Sequence, residues 1–119
     1  MKLEITAHSP EITVVRLAGD RLDAAAALAV KQELIDLIDA GHTVLAVDLT
    51  QVDFIDSSGL GALISALKRV PPQGDLVVFG LTPAVAALFE LTRLDRVFFP
   101  YTDQTNALEY LTTFVQTRR

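Results

Sequence analysis

Residues 44–61 read VLAVDLTQVDFIDSSGLG, and the pattern of these residues indicates the class of fold. Its first part, residues 44–47, is an apolar run without alternation, which is typical of a strand covered on both faces of a sheet. After Asp56 the pattern changes to helical spacing, and the predicted helix buries a stripe formed by Leu60, Leu63, Ile64 and Leu67. A buried strand that leads through a loop into a helix indicates a sheet with helices packed on it.

The chain before this stretch predicts a hairpin and a first helix. Residues 3–7 alternate polar and apolar side chains, residues 8–10 (HSP) favour a turn, and residues 12–17 form a second strand. Asp23 is then placed to cap a helix that runs through Ile38.

The chain after this stretch predicts two more strands and two more helices. Residues 76–79 form a buried strand, and the threonine–proline pair at 82–83 is a typical start of a third helix. The apolar residues 97–99 (VFF) are interpreted as a short last strand. A closing helix begins near Asp103, and residues 116–119 are expected to fray at its end.

Strands that alternate with helices after an initial hairpin predict an α/β fold. We expect a mixed, mainly parallel sheet of four to five strands, covered by about four helices. The 119 residues suit a single domain, because a chain of this length buries one hydrophobic core but hardly two.

The composition narrows the classes of function. Ten basic and 15 acidic residues give a net charge of −5, so the field of the protein repels the phosphates of nucleic acids and anionic membranes. The absence of cysteine excludes disulfides and thiolate metal sites, and two histidines leave little for another metal site. No segment resembles a signal peptide or reaches the roughly 20 apolar residues of a membrane helix. We therefore expect a soluble, cytoplasmic protein without metal, cofactor, nucleic-acid partner or membrane insertion.

The motifs of common enzymes are missing from the sequence. There is neither a GxxxxGK phosphate-binding loop nor a GxGxxG turn, and no serine lies in a GxSxG segment. Asp53 and Asp56 lie in a predicted loop, where turn and capping roles are ordinary for aspartate. His8 lies in the predicted turn and His42 just before a strand, so both are interpreted as solvated surface residues. These observations favour a protein that is not an enzyme.

The start of the second helix is unusual because it contains two glycines. Gly59 and Gly61 each cost about 1 kcal/mol relative to alanine in a helix, so something other than helix stability selects them. One interpretation is that the surface of a partner approaches the backbone here, and the alternative is close packing of the helix on the sheet. Ser57 fits the first turn, where serine is common without any further function.

Residues 56–61 (DSSGLG), with residues 52–55 (VDFI) and the strand before them, resemble the signature of bacterial anti-sigma factor antagonists, the stand-alone STAS domains. The resemblance covers nearly the whole chain. Residues 17–19 and 22–23 are similar to the segment before the first helix of the family, and residues 81–94 are similar to its third-helix region. The resemblance implies that residues from 1 to 119 form one STAS domain.

The resemblance also implies a mechanism. In this family the first serine of the pair accepts a phosphate, which maps to Ser57, with Ser58 as the alternative. The modifying enzyme is the anti-sigma factor, an ATP-dependent serine kinase. Unphosphorylated antagonist binds this kinase and releases a sigma factor, phosphorylated antagonist does not bind, and a phosphatase resets the switch. For this chain we expect a monomer whose partner-binding residues are Asp23, Asp56, Ser57, Ser58, Gly59 and Gly61.

The physics of a helix N-terminus supports such a switch independently. Its free N–H groups and partial positive charge favour a phosphate on Ser57 by about 0.3–2 kcal/mol. The phosphate brings roughly −1.5 to −2 charges to the tip of the helix. Phosphorylation is therefore expected to change the binding surface without unfolding the chain.

Alternatives stay open. The first alternative is a STAS module of another signalling or transporter-associated complex. The second is a nucleotide-binding domain that holds phosphate at Asp56 and Ser57, and the third is a structural domain in which Ser57 is only a cap. The missing glycine-rich loop and lysine argue against nucleotide binding. One feature departs from the family pattern, since Asp20 and Arg21 lie where the family often has one residue, in the loop before Asp23.

Overall fold

The structure is a computed structural model that describes residues 1–118. In chain order the strands are β1 (Lys2–Ala7), β2 (Thr13–Ala18), β3 (Arg21–Leu22), β4 (Val44–Asp48), β5 (Phe54–Ile55) and β6 (Asp75–Phe79). The main sheet has the order β1-β2-β4-β6, in which β1 and β2 are antiparallel and the other pairs are parallel. β3 and β5 form a separate parallel pair. The predicted hairpin and the mixed, mainly parallel sheet are confirmed.

The helices are α1 (Ala24–Asp39), α2 (Ser57–Arg69), α3 (Pro83–Leu91), α4 (Asp95–Phe98) and α5 (Gln104–Thr117). One face of the main sheet is covered by α1 to α4, and the other is covered by α5. Side chains of β4 enter both cores, because Leu45 and Val47 pack under α1 to α4 whereas Val44 and Ala46 pack under α5. This double burial explains why the strand is apolar without alternation.

The predicted strand at Val97, Phe98 and Phe99 is wrong. Residues 95–98 form the short helix α4, and Phe99 follows in the left-handed region with φ of 46°. The helical turn buries Phe98 against Phe89, with 5.8 Å between the ring centres. Of residues 95–101, only Tyr101 pairs with β6, and its amide donates to the carbonyl oxygen of Val78 at 2.9 Å. The structure therefore has a fifth helix where a fifth strand was expected.

Two details of the predicted helix ends also differ. Thr82 holds the N-cap position of α3, but its hydroxyl donates to the carbonyl oxygen of Val52 at 2.9 Å instead of capping the helix. The expected fraying from residue 116 onward is not observed, since α5 continues to Thr117. Arg118 then pairs with Glu11 at 3.1 Å and donates to a carbonyl oxygen at 2.7 Å. Arg119, on which this expectation also fell, lies outside the described residues.

Candidate functional site

The small sheet of β3 and β5 brings the loops before α1 and α2 together. Arg21 lies opposite Phe54 in this parallel pair, and the carbonyl oxygen of Asp20 accepts hydrogen bonds from the amides of Asp53 at 2.8 Å and Phe54 at 3.1 Å. The two residues that depart from the family pattern thus hold the second loop in place. As a result, α1 and α2 begin side by side.

Asp56 joins the starts of these two helices. One carboxylate oxygen accepts from the amide of Gly59 in α2 at 3.0 Å, and the other accepts from the amide of Ala24 in α1 at 3.1 Å. Asp23 caps α1, as predicted, by accepting from the amide of Ala25 at 3.1 Å. The predicted capping role of Asp56 is confirmed, and its link to α1 comes in addition.

Ser57 and Ser58 are the first two residues of α2, and both are exposed. In residues 1–118, neither amide donates to a protein acceptor, whereas the next amide is taken by Asp56. Such free N–H groups at the positive end of a helix dipole favour an anionic group. The site therefore combines an exposed serine hydroxyl with a backbone that accommodates negative charge.

The two glycines of α2 differ in environment. Gly59 is buried, and a Cβ there would meet the carbonyl oxygen of Leu22, with Ile55 Cγ2 at 2.8 Å. The packing alternative therefore accounts for Gly59. Gly61 is exposed, and apart from the adjacent backbone of its own helix no heavy atom of the described residues lies within 4 Å of the position that its Cβ would take. Internal packing gives no reason for a glycine at Gly61.

An arginine–aromatic pair beside the site was missed in the sequence. The Arg21 guanidinium lies 4.1 Å from the centre of the Phe54 ring and 3.4 Å from the Asp23 carboxylate. Phe54 keeps 39% of its surface exposed. The feature of the sequence that could have indicated this pair was an apolar residue, Phe54, next to Asp53 in a predicted loop.

The remaining candidate residues do not converge on this site. The His42 ring lies 3.2 Å from the hydroxyl of Thr13, and His8 is exposed beside the turn of the hairpin. In the part of the chain that the structure describes, no group of three or more His, Cys, Asp or Glu side chains is arranged to hold a metal ion. Within the same residues, no helix has the length and apolar character needed to cross a membrane.

Comparison with known proteins identifies the family. Residues 5–107 match the STAS domain family, to which the chain therefore belongs. Within it, the anti-sigma-B factor antagonist of Listeria monocytogenes is 35% identical over 98 residues, which are 82% of this chain and 85% of the relative. The predicted membership of the anti-sigma factor antagonist family is thus confirmed. This family consists of binding proteins, so the chain is not an enzyme.

Solved structures confirm the α/β STAS fold. The crystal structure of an anti-sigma factor antagonist from Mycobacterium paratuberculosis has a TM-score of 0.85 at 24% identity and covers 93% of both chains. The structure of the Bacillus cell fate determinant SpoIIAA in its phosphorylated form has a TM-score of 0.70 at 18% identity, covering 92% of this chain and 99% of that one.

Proposed function

We propose that this chain is the antagonist in a phosphorylation-controlled partner switch. Unphosphorylated, it binds an anti-sigma factor that is a serine kinase, and a sigma factor is released. The kinase transfers the γ-phosphoryl group of ATP to the Ser57 hydroxyl, leaving ADP, and the phosphorylated chain no longer binds. A phosphatase restores the first state. The observation that carries this proposal is the exposed Ser57 at the first position of α2, where, within residues 1–118, the amides of Ser57 and Ser58 donate to no protein acceptor.

The start of α2 tolerates a phosphate on Ser57. The amides of Ser57 and Ser58 supply donors, and the helix dipole adds a favourable interaction of about 0.3–2 kcal/mol. The carboxylates of Asp23 and Asp56 lie nearby and oppose this gain, but both already accept hydrogen bonds from helix amides. The favourable interaction with the helix start and the repulsion by the carboxylates have opposite signs, so the fold is expected to keep its stability.

The same phosphate changes the surface that a partner meets. It adds roughly −1.5 to −2 charges and three acceptor oxygens at an exposed tip. A partner surface complementary to a neutral serine then faces both repulsion and a steric clash. The surface that we assign to the partner is formed by Asp23, Asp56, Ser57, Ser58 and Gly61, with Gly59 buried beneath it.

Related proteins support this assignment. The Listeria relative is named as an antagonist of an anti-sigma factor, and SpoIIAA, which shares the fold, has been solved in a phosphorylated form. The net charge of −5 disfavours nucleic acid as a direct ligand. We also propose that the chain acts in the cytoplasm, as a monomer, through protein partners.

Phosphorylation by purified kinases tests the proposal. Each anti-sigma factor kinase of the source organism is incubated with ATP and with wild type, Ser57→Ala or Ser58→Ala, and the intact proteins are weighed by mass spectrometry. We expect one kinase to add one phosphate to wild type and to Ser58→Ala, and none to Ser57→Ala. Undiminished phosphorylation of Ser57→Ala would contradict the assignment. Loss in Ser58→Ala alone would move it to Ser58.

A further inference from the structure

The helices α1 and α2 run parallel and are joined at both ends. At their starts the amide of Ala24 donates to Asp56, and near their C-terminal ends Asp39 of α1 pairs with Arg69 of α2 through two hydrogen bonds of 2.8 and 3.0 Å. Leu28 lies four residues into α1, and Gly61 lies four residues beyond Ser57. Because both helices rise by the same amount per residue, Leu28 and Gly61 lie at the same level, one turn from the phosphorylation tip.

The first two turns of α1 present an apolar surface to solvent. Leu28 is 74% exposed, and Ala24, Ala25 and Ala29 around it are also exposed. On the neighbouring helix the space above Gly61 is open. We call Leu28, the three alanines and Gly61 the Leu28 surface. It combines a protruding apolar side chain on α1 with open space at the same level on α2, and this shape is complementary to an apolar side chain of another protein.

The loops that precede α1 and α2, at the end of the helices nearest this surface, carry negative charge. Residues 19–23 and 53–56 carry four aspartates, Asp20, Asp23, Asp53 and Asp56. The single arginine of these loops, Arg21, is paired with Asp23 and stacked on Phe54. An apolar centre with an acidic rim is complementary to a protein surface with an apolar centre and a basic rim.

We propose that the Leu28 surface is a docking site for the kinase, which places an apolar side chain against Leu28 above Gly61 and basic side chains opposite the aspartates. This inference rests on the proposed function and extends it from the phosphorylated tip onto α1. Most of the apolar contact then comes from α1, whereas α2 supplies the serine. The kinase recognises its substrate by two separate features, so binding is sensitive to α1 residues that phosphorylation does not touch.

Two matched leucine variants test this docking site. The probe is the purified kinase that phosphorylates Ser57, titrated calorimetrically into wild type, Leu28→Ala and Leu91→Ala. Leu91 is 82% exposed at the C-terminal end of α3 and serves as the control. We expect Leu28→Ala to weaken affinity by at least about tenfold, as an interface anchor does, and Leu91→Ala by no more than about twofold. Melting temperatures should stay unchanged, since both side chains are exposed.

Gly61→Gln and a salt series complete the test. Filling the gap at Gly61 should weaken binding by a similar factor without lowering the melting temperature. The affinity of wild type should fall as salt is raised, because exposed charge pairs are screened. Wild-type affinity in Leu28→Ala would overturn the docking site, and salt-independent affinity would overturn the basic rim. Sedimentation that shows a dimer abolished by Leu28→Ala would assign the surface to a second copy of this chain instead.

The outcomes separate this inference from the proposed function. If no kinase binds or phosphorylates wild type, the proposed function fails and the docking site fails with it. If wild type binds, and loses binding on phosphorylation of Ser57, while Leu28→Ala binds equally well, then only the docking site is wrong.

Discussion

Replacing glycine with alanine is expected to change stability in opposite directions at Gly59 and Gly61. In a helix the substitution gains about 0.5–1 kcal/mol, because alanine loses less backbone entropy on folding. At Gly61 no side chain or neighbouring element of the described residues lies within 4 Å of the added methyl group, so no steric cost opposes this gain. Gly61→Ala should therefore raise the free energy of unfolding by about 0.5–1 kcal/mol.

At Gly59 the steric cost exceeds the gain. The added methyl group would meet the carbonyl oxygen of Leu22, with Leu22 Cγ at 2.9 Å and Ile55 Cγ2 at 2.8 Å, well inside ordinary van der Waals contact. The carbonyl oxygen cannot move freely, because it accepts from the amide of Asp56 at 3.3 Å. Overpacking of this kind costs about 2 kcal/mol in the middle of its range, which exceeds the gain in helix propensity, so Gly59→Ala should lower the free energy of unfolding by about 1 kcal/mol.

Urea titration followed by circular dichroism measures both changes. The two variants differ from wild type by the same methyl group in the same helix, so each serves as the control for the other. The midpoint should fall for Gly59→Ala and rise for Gly61→Ala, with the slope m unchanged. Wild-type stability in Gly59→Ala, or an equal loss in both variants, would refute the separation of a packing glycine from a surface glycine.

Asp56→Ala should lower the free energy of unfolding by about 2 kcal/mol, and Asp103→Ala by about 1 kcal/mol. The reason is that Asp56 accepts hydrogen bonds at two helix starts and Asp103 at one. Equal losses of stability in urea titrations of the two variants would contradict the double role of Asp56. Tyr110 donates to Asp75 at 2.6 Å, and this hydrogen bond raises the pKa of Tyr110, while burial raises the pKa of Tyr101. Both raised pKa values favour the folded state below the ordinary tyrosine pKa of about 10, and this contribution is lost as the pH rises above it. An ultraviolet absorbance titration should place both ionisations above that value. In Tyr110→Phe only the ionisation of Tyr101 should remain. An ionisation of ordinary pKa that disappears in Tyr110→Phe would contradict the Asp75 contact.

Local signals in the sequence were enough to predict most elements. Asp23 and Asp56 are capping residues directly before apolar helical patterns, and the information for those helix starts lies within a few residues. The apolar run of β4 likewise indicates, without information from other segments, that both faces of the strand are buried. These features depend little on the rest of the chain, so the sequence could reveal them.

Segments whose structure depends on distant contacts were not predictable in the same way. Three successive apolar residues at Val97, Phe98 and Phe99 fit a buried strand or a buried helical turn equally well. The packing of Phe98 against Phe89 favours the helical turn over the strand, and this contact exists only in the assembled core. A short apolar run therefore carries no periodicity that a sequence analysis can use.

In the candidate site, too, local features could be predicted from the sequence, whereas features that depend on distant contacts could not. The position of Ser57 at the start of a helix follows from local pattern, whereas the link from Asp56 to Ala24 requires that two helices begin side by side. The difference between Gly59 and Gly61 depends on what lies opposite each of them, which is Leu22 in one case and solvent in the other. Sequence reasoning could name the two glycines but could not assign different roles to them.

A phosphate on Ser57 is expected to abolish kinase binding while the fold persists. The most direct measurement is calorimetric titration of the kinase with unphosphorylated and singly phosphorylated chain, with melting curves recorded on the same two preparations. We predict that affinity falls by at least about tenfold, or 1.4 kcal/mol. The melting temperature should change by only a few degrees, since about 1 kcal/mol corresponds to roughly 4–8 °C for a small domain. Equal affinities of the two forms would contradict the switch, and a large fall in melting temperature would mean that phosphorylation acts by unfolding.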